Sequence, residues 1–186
     1  MQIKKIALAT LVAASLIAST AHAELVSNGG FETGTLSGWT QGGNTGYTGV
    51  AGSPYAHTGA YGLYLGPVGS NGSLSQTLVT TNGATYRLDY WLASDGGTPN
   101  GFSAMIGAST LFAQTNIAAQ GFTEYSFSFV GTGSDTLTFA FRNDPSYLSL
   151  DDISVVQTNA VPEPASLLLL GLGLAGLATS RRRKTA

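Results

Sequence analysis

The 186-residue chain contains no cysteine. That excludes a disulfide framework, a thiolate metal centre and a cysteine nucleophile. It contains two histidines, too few for a His-rich metal site. Charged residues make up 10% of it, against about 25% in ordinary soluble domains. Between residues 24 and 160 no run keeps a 3.6-residue hydrophobic period over three turns, so an amphipathic helical fold is excluded there. No serine lies in a Gly-x-Ser-x-Gly elbow. Positive charge is missing from the middle of the chain. Residues 24–160 hold nine acids (Glu24, Glu32, Asp89, Asp95, Glu124, Asp135, Asp144, Asp151, Asp152) against Arg87 and Arg142, a balance of −7. Nucleic-acid binding by this region is disfavoured, because phosphate neutralisation requires a basic face.

What the chain does have is divided into three parts. Residues 1–23 begin with Lys4 and Lys5, continue through an apolar run and end Ala21-His22-Ala23. A basic start, a short apolar stretch and a small-x-small ending read as a signal peptide cleaved after Ala23. The alternative is an uncleaved amphipathic helix. Residues 159–186 hold Pro162-Glu163-Pro164, a 15-residue apolar run from Ala165 to Thr179, and the basic tail Arg181, Arg182, Arg183 and Lys184. As a helix the run spans about 22 Å, short of the ~30 Å hydrocarbon core. Snorkelling basic side chains extend it. The positive-inside rule keeps the tail cytoplasmic and places residues 24–158 on the far side of the membrane, in agreement with the signal peptide.

This tail resembles the PEP-CTERM sorting domain in its Pro162-Glu163-Pro164 motif, its Gly/Leu-rich helix and its Arg cluster. The resemblance implies that an exosortase, a membrane protease of the transpeptidase type, cuts near the motif. It also implies delivery to the envelope or exterior of a Gram-negative bacterium that makes exopolysaccharide. Both prolines hold the peptide extended and outside the helix. The alternative is a plain single-pass anchor.

The central region carries 22 glycines and all 18 aromatics. Short alternating runs separated by Gly, Asn and Asp predict about eight strands, near 61–65, 73–79, 85–92, 102–106, 110–112, 123–129, 136–141 and 147–156. Tyr86, Leu88, Tyr90 and Leu92 fall on one face, as do Tyr125, Phe127 and Phe129. Burying such faces against one another gives an all-β, two-sheet sandwich. Leu25-Val-Ser-Asn-Gly-Gly-Phe31-Glu32 with Gly38-Trp39, then His57-Thr-Gly-Ala-Tyr-Gly-Leu63, Leu74-Ser-Gln-Thr-Leu78, Leu88-Asp-Tyr-Trp-Leu92 and Leu150-Asp-Asp-Ile-Ser-Val155 follow one another in order. They resemble carbohydrate-binding modules of the galactose-binding jelly-roll type. The resemblance implies a jelly roll over residues 24–158 and non-catalytic polysaccharide binding.

Three sets of candidate residues follow. The resemblance implies a structural calcium ion between the opening Phe-Glu segment and the last strand, with Glu32 and Asp151 or Asp152 as ligands beside backbone carbonyls. Strand parity places Asp151 with Ile153 and Val155 toward the core, where a buried carboxylate needs a partner. Loop amides or Arg142 are the alternatives to a cation. For sugar, Arg87, Asp89 and Trp91 share the face opposite Tyr86, and Arg142 lies opposite Phe139 and Phe141, so the four can meet on one exposed sheet face. The alternatives are a Trp91 packed under a loop beside an Arg87–Asp89 surface pair, or a rim of Tyr47, Tyr55 and Tyr61. Trp39 reads as core. For catalysis, a glycosidase needs two acids set across a cleft, whereas Asp151 and Asp152 are adjacent and expected on opposite faces of a strand. Only Glu32 with Asp151 remains. The reading is therefore a binding protein, with a structural or adhesive matrix protein as the alternative and a hydrolase last.

Overall fold

Alternating residues become two packed sheets in the computed structural model, which describes residues 23–158. Ala21, the sorting residues Pro162, Glu163 and Pro164, the tail Arg181 to Lys184, and the expected signal and transmembrane helices lie outside the described residues. Among the described residues no helix is long and apolar enough to cross a membrane.

The strands are β1 (Thr40–Gly43), β2 (Thr48–Ala51), β3 (Gly62–Leu65), β4 (Gly72–Val79), β5 (Thr85–Ser94), β6 (Asn100–Ile106), β7 (Ser109–Thr115), β8 (Gln120–Val130), β9 (Ser134–Asn143) and β10 (Leu148–Gln157). One five-stranded sheet runs β1-β4-β9-β6-β7 and the other β2-β3-β10-β5-β8, with every pairing antiparallel. The eight expected strands are all present. The two additional ones, β1 and β2, are four residues each.

The core sits between the sheets and is aromatic at its centre. Tyr90 packs on Tyr125, Phe127, Phe102 and Phe139, with centroids 5.4 to 6.1 Å apart. Tyr86, Leu88, Tyr90 and Leu92 are all buried, as their shared face requires. Trp39 closes one side against Phe31 and Phe139 and donates its indole N–H to Asn28 O at 3.1 Å. Fully burying one such side chain contributes about 1.5–3 kcal/mol, so a sandwich this aromatic holds without disulfides.

Two features of β10 depart from strict alternation. Asp151 pairs with Trp91 and Ser154 with Asp89, so β10 carries one extra residue between them, a β-bulge. Asp152 sits inside it at φ +47°, a left-handed conformation that Asp tolerates better than most residues. The bulge corrects two expectations. Leu150 faces the core with Leu92, and Asp151 therefore faces outward with Trp91. Ile153 and Val155, beyond the bulge, face inward. Asp151 is nevertheless fully buried, because the connection between β2 and β3 lies over it. The bulge also lets Asp151 and Asp152 reach the same segment, where strict alternation would send them to opposite faces.

Candidate functional site

The outer face of the β2-β3-β10-β5-β8 sheet is covered by residues 52–61. Three carboxylates hold this loop down. Asp151 Oδ2 accepts the amides of His57 at 2.7 Å and Thr58 at 3.3 Å, while its Oδ1 accepts that of Asp152 at 2.8 Å. Asp152 takes His57 Nδ1 and Thr58 Oγ1, each at 2.7 Å. Glu32 accepts the amides of Ala60 and Tyr61 at 3.0 Å. Between these anchors Gly59 adopts φ +64°, and a Cβ there would lie 2.3 Å from Glu32 Oε1, so the grip on the loop requires glycine. Burial pushes the Asp151 carboxyl up to about 6 against the amide hydrogen bonds that favour its ionised form.

Under the same loop, the His57 ring stacks on Trp91 at 3.9 Å with an interplanar angle of 15°, and Phe122 packs against His57 at 5.2 Å. Trp91 is therefore a covered ring, as one of the alternatives has it. Farther along β5, Arg87 pairs with Asp89 at 2.7 Å, and Asp89 accepts Ser126 Oγ at 2.6 Å. Neither residue meets Arg142. β5 and β9 belong to different sheets and turn their aromatic residues toward the shared core, so their outer residues point to opposite sides. The expectation that Arg87, Asp89, Trp91 and Arg142 share one face is overturned. The three rim tyrosines also go separate ways. Tyr55 packs on Tyr64 and Tyr147, Tyr61 lies over Gly34, and Tyr47 is largely exposed.

The outer face of the β1-β4-β9-β6-β7 sheet is open. Ser73, Ala140, Ser103 and Ala113 form one row across β4, β9, β6 and β7, while Arg142, Gly101 and Thr115 form the next. These small side chains leave a groove of about 500 Å³, with Asn71, Gln114 and Asn116 along its edges. Among the described residues Arg142 is the groove's one charged side chain. Its guanidinium is fixed by Nε and Nη2 on Asp144 Oδ2, and Asp144 also accepts the Gly69 amide. A guanidinium carries five N–H donors, so this ion pair positions Arg142 and leaves donors facing the groove. The floor is Ala, Gly and Ser, and Trp91, expected beside Arg142, lies on the other sheet. None of these small residues carries a signal in the sequence. Only the strand register assembles them.

Among the described residues no three His, Cys, Asp or Glu side chains converge as a metal site. Glu32 grips residues 60 and 61, whereas Asp151 and Asp152 grip 57 and 58. Glu32 and Asp151 each accept backbone amides of the one loop that lies over this face.

A sandwich of this strand order is the fold of carbohydrate-binding modules. TmCBM61 in complex with β-1,4-galactotriose superposes with a TM-score of 0.59 at 20% identity, covering 73% of this chain and 99% of that one. The CBM22-1 xylan-binding domain of Paenibacillus barcinonensis Xyn10C gives 0.56 at 18%, covering 77% and 100%. The K3 cleaved adhesin domain of Lys-gingipain from Porphyromonas gingivalis W83 gives 0.54 at 17%, covering 73% and 99%. The carbohydrate binding domain family matches residues 23–146, and the chain belongs to that family. A PEP-CTERM protein-sorting motif matches residues 160–184. One chain thus joins a carbohydrate-binding domain to the sorting signal of an exported protein. No curated protein sequence matches it.

Proposed function

We propose that this is an exported envelope protein whose sandwich binds polysaccharide without catalysis, in the groove beside Arg142. The observation that carries this reading is the groove itself. It is a trough of small side chains along the sheet, edged by amides and hydroxyls, with one immobilised guanidinium. Low walls of Ala, Gly and Ser admit a flat sugar ring, and Arg142, Asn71, Gln114 and Asn116 offer donors and acceptors to its hydroxyls. Family membership supports the ligand class. Affinity electrophoresis of the protein in gels holding soluble xylan, galactan or the host's own exopolysaccharide tests it. Retardation by at least one of the three is expected, and free migration in all three overturns the reading.

In this reading residues 1–23 are a signal peptide cut after Ala23, residues 24–158 the binding domain, and residues 159–186 the sorting segment. The last comprises an exosortase site at Pro162-Glu163-Pro164, a membrane helix and a cytoplasmic anchor of Arg181, Arg182, Arg183 and Lys184. Replacing the three motif residues by alanine is expected to block processing and surface delivery. Unchanged processing rules the exosortase out. Calcium is proposed as a structural ion at the loop clamp. The donor chemistry suits a hard cation, since among the described residues Glu32 and Asp151 have no cationic side-chain partner and Asp151 is fully buried. Atoms of all three acids gather at Gly30, where Asp152 Oδ1, Glu32 Cγ and Asp151 Oδ1 lie 3.5 to 3.9 Å from the place a Cβ would take. An ion there would draw on Glu32 and Asp151 or Asp152, together with backbone carbonyls. A melting temperature unmoved by chelator removes calcium from the account.

A further inference from the structure

A second concavity lies on the opposite side of the sandwich. Gly49, Tyr64, Ser149 and Ala93 form a row across β2, β3, β10 and β5 on the outer face of their sheet. At its β5 end a cup of about 300 Å³ opens over Ala93 and Ser149, between Pro54-Tyr55 and Ser146-Tyr147, with Asp95 at the rim. The walls are fixed. Tyr55, Tyr64 and Tyr147 pack on one another at 5.4 to 5.8 Å, two of the three pairs edge to face. Asp95 ties the β5–β6 and β9–β10 connections together, accepting the amides of Gly97 at 2.9 Å and Tyr147 at 3.2 Å and the Asn143 side-chain amide at 3.3 Å. Two of these contacts fall on Oδ1 and one on Oδ2. A carboxylate has about four acceptor positions, so Oδ2 retains capacity for an O–H donor.

We propose that this cup is a second saccharide-binding site, independent of the Arg142 groove, so that one domain holds two glycan segments on opposite sides. The inference rests on the polysaccharide-binding reading for its ligand class. The chemistry of the cup selects a neutral sugar. Among the described residues no Lys or Arg lines it, so an anion finds no counter-charge. Aromatic walls offer surface to the apolar face of a pyranose, and Asp95, Ser146 and Ser149 offer oxygens to its hydroxyls. A quaternary ammonium would need rings facing a common centre. Here the three rings lie tilted or edge to face on one another, so their faces do not converge on one centre. The two sites also have a common frame. The groove draws Pro99, Asn100 and Arg142 from the connections and strand ends that give the cup Asp95, Ser146 and Tyr147.

Heteronuclear amide NMR on the whole protein, titrated separately with D-galactose, D-xylose, D-glucose and choline chloride, tests this. With at least one sugar, saturable shifts are expected at Ala93, Ser149 and Tyr147, alongside shifts at Gly101 and Ser103 in the groove. Ala93→Trp, which fills the cup, is expected to weaken the cup response at least tenfold and leave the groove response intact. Arg142→Ala is expected to do the reverse. Tyr55→Leu gives the same readout should the tryptophan disturb folding. The proposal is overturned by cup amides that stay still with all three sugars, by shifts with choline alone, or by a cup response that survives both cup substitutions. Still groove amides with a responding cup would instead overturn the Arg142 reading alone, and silence at both positions would overturn both.

Discussion

The two outer faces of the sandwich differ in how their surface is finished. On the β2-β3-β10-β5-β8 side a ten-residue loop is clamped down by Glu32, Asp151 and Asp152, and Trp91 is stacked beneath His57. On the β1-β4-β9-β6-β7 side the described residues leave the rows of Ser, Ala and Gly open as a groove around Arg142. Both sheets bury the same kind of aromatic inner face, so the difference arises outside the core. Acidic side chains on one face find backbone amides to hold. The other face has side chains too short to attract cover. The first face is thus closed over most of its middle by the clamped loop, with a cup left beside Ala93 and Ser149, whereas the second is open along a groove.

The largest way to break this contrast is Asp151→Ala. It strips the acceptor from three amides under the loop, and unpaired buried donors cost about 1–3 kcal/mol each. A loss of about 3 kcal/mol in urea unfolding is expected, with a red shift of tryptophan emission as Trp91 loses its cover. An unchanged midpoint would mean that the loop is held by other contacts.

Next in size is the pH dependence of two buried aspartates, measured with chelator present. Asp151, raised from 3.8 to about 6, binds its proton more tightly when folded. Its contribution is complete below pH 3.8 and lost as pH rises through 6. Asp135 lies at the other end of the sandwich. Burial alone would raise its carboxyl, but hydrogen bonds from Thr80 Oγ1, Thr132 N and Thr132 Oγ1 outweigh that and hold it below 3.8. Its contribution is present above 3.8 and lost as pH falls through the lowered value. Denaturation across a pH series should therefore show Asp151→Asn flattening the decline between pH 4 and 6, and Asp135→Asn flattening the acid limb. The same limb responding to both would contradict the assignment.

Tyr90→Phe sharpens the contrast from inside the shared core. The Tyr90 hydroxyl is buried without a partner, and burial raises its pKa far above 10. Removing it should leave stability unchanged or raise it by up to about 1 kcal/mol, read from the unfolding midpoint. A loss above that would reveal a partner for the hydroxyl. Smallest of all, Arg87→Ala should change stability by less than about 1 kcal/mol, since the Arg87 side of its pair with Asp89 is about half exposed. A larger loss would mark that side as dependent on surface charge.

Much of this fold was legible in the sequence, because large apolar residues alternate along eight of the ten strands. β1 and β2 were not. Thr40-Gln-Gly-Gly43 and Thr48-Gly-Val-Ala51 are short and glycine-rich, with no apolar row to mark them. The acid clamp was half legible. Burial of Asp151 and a partner for it were foreseen, but parity fails across a bulge, and the loop amides it holds lie 94 residues away. The binding face was misread for a different reason. Parity along a strand tells inside from outside and says nothing of which sheet the strand joins, so Arg87 and Arg142 looked like neighbours while occupying opposite sides.

That separation supplies the most direct test. Arg142→Ala and Arg87→Ala remove the same charge from two opposite faces of one domain, and neither side chain belongs to the core. Compared with wild type by affinity electrophoresis in whichever polysaccharide gel retards the protein, Arg142→Ala should lose affinity at least tenfold while Arg87→Ala migrates with wild type. Equal retardation of all three, or a loss with Arg87→Ala alone, would contradict the placement of the polysaccharide groove on the open face.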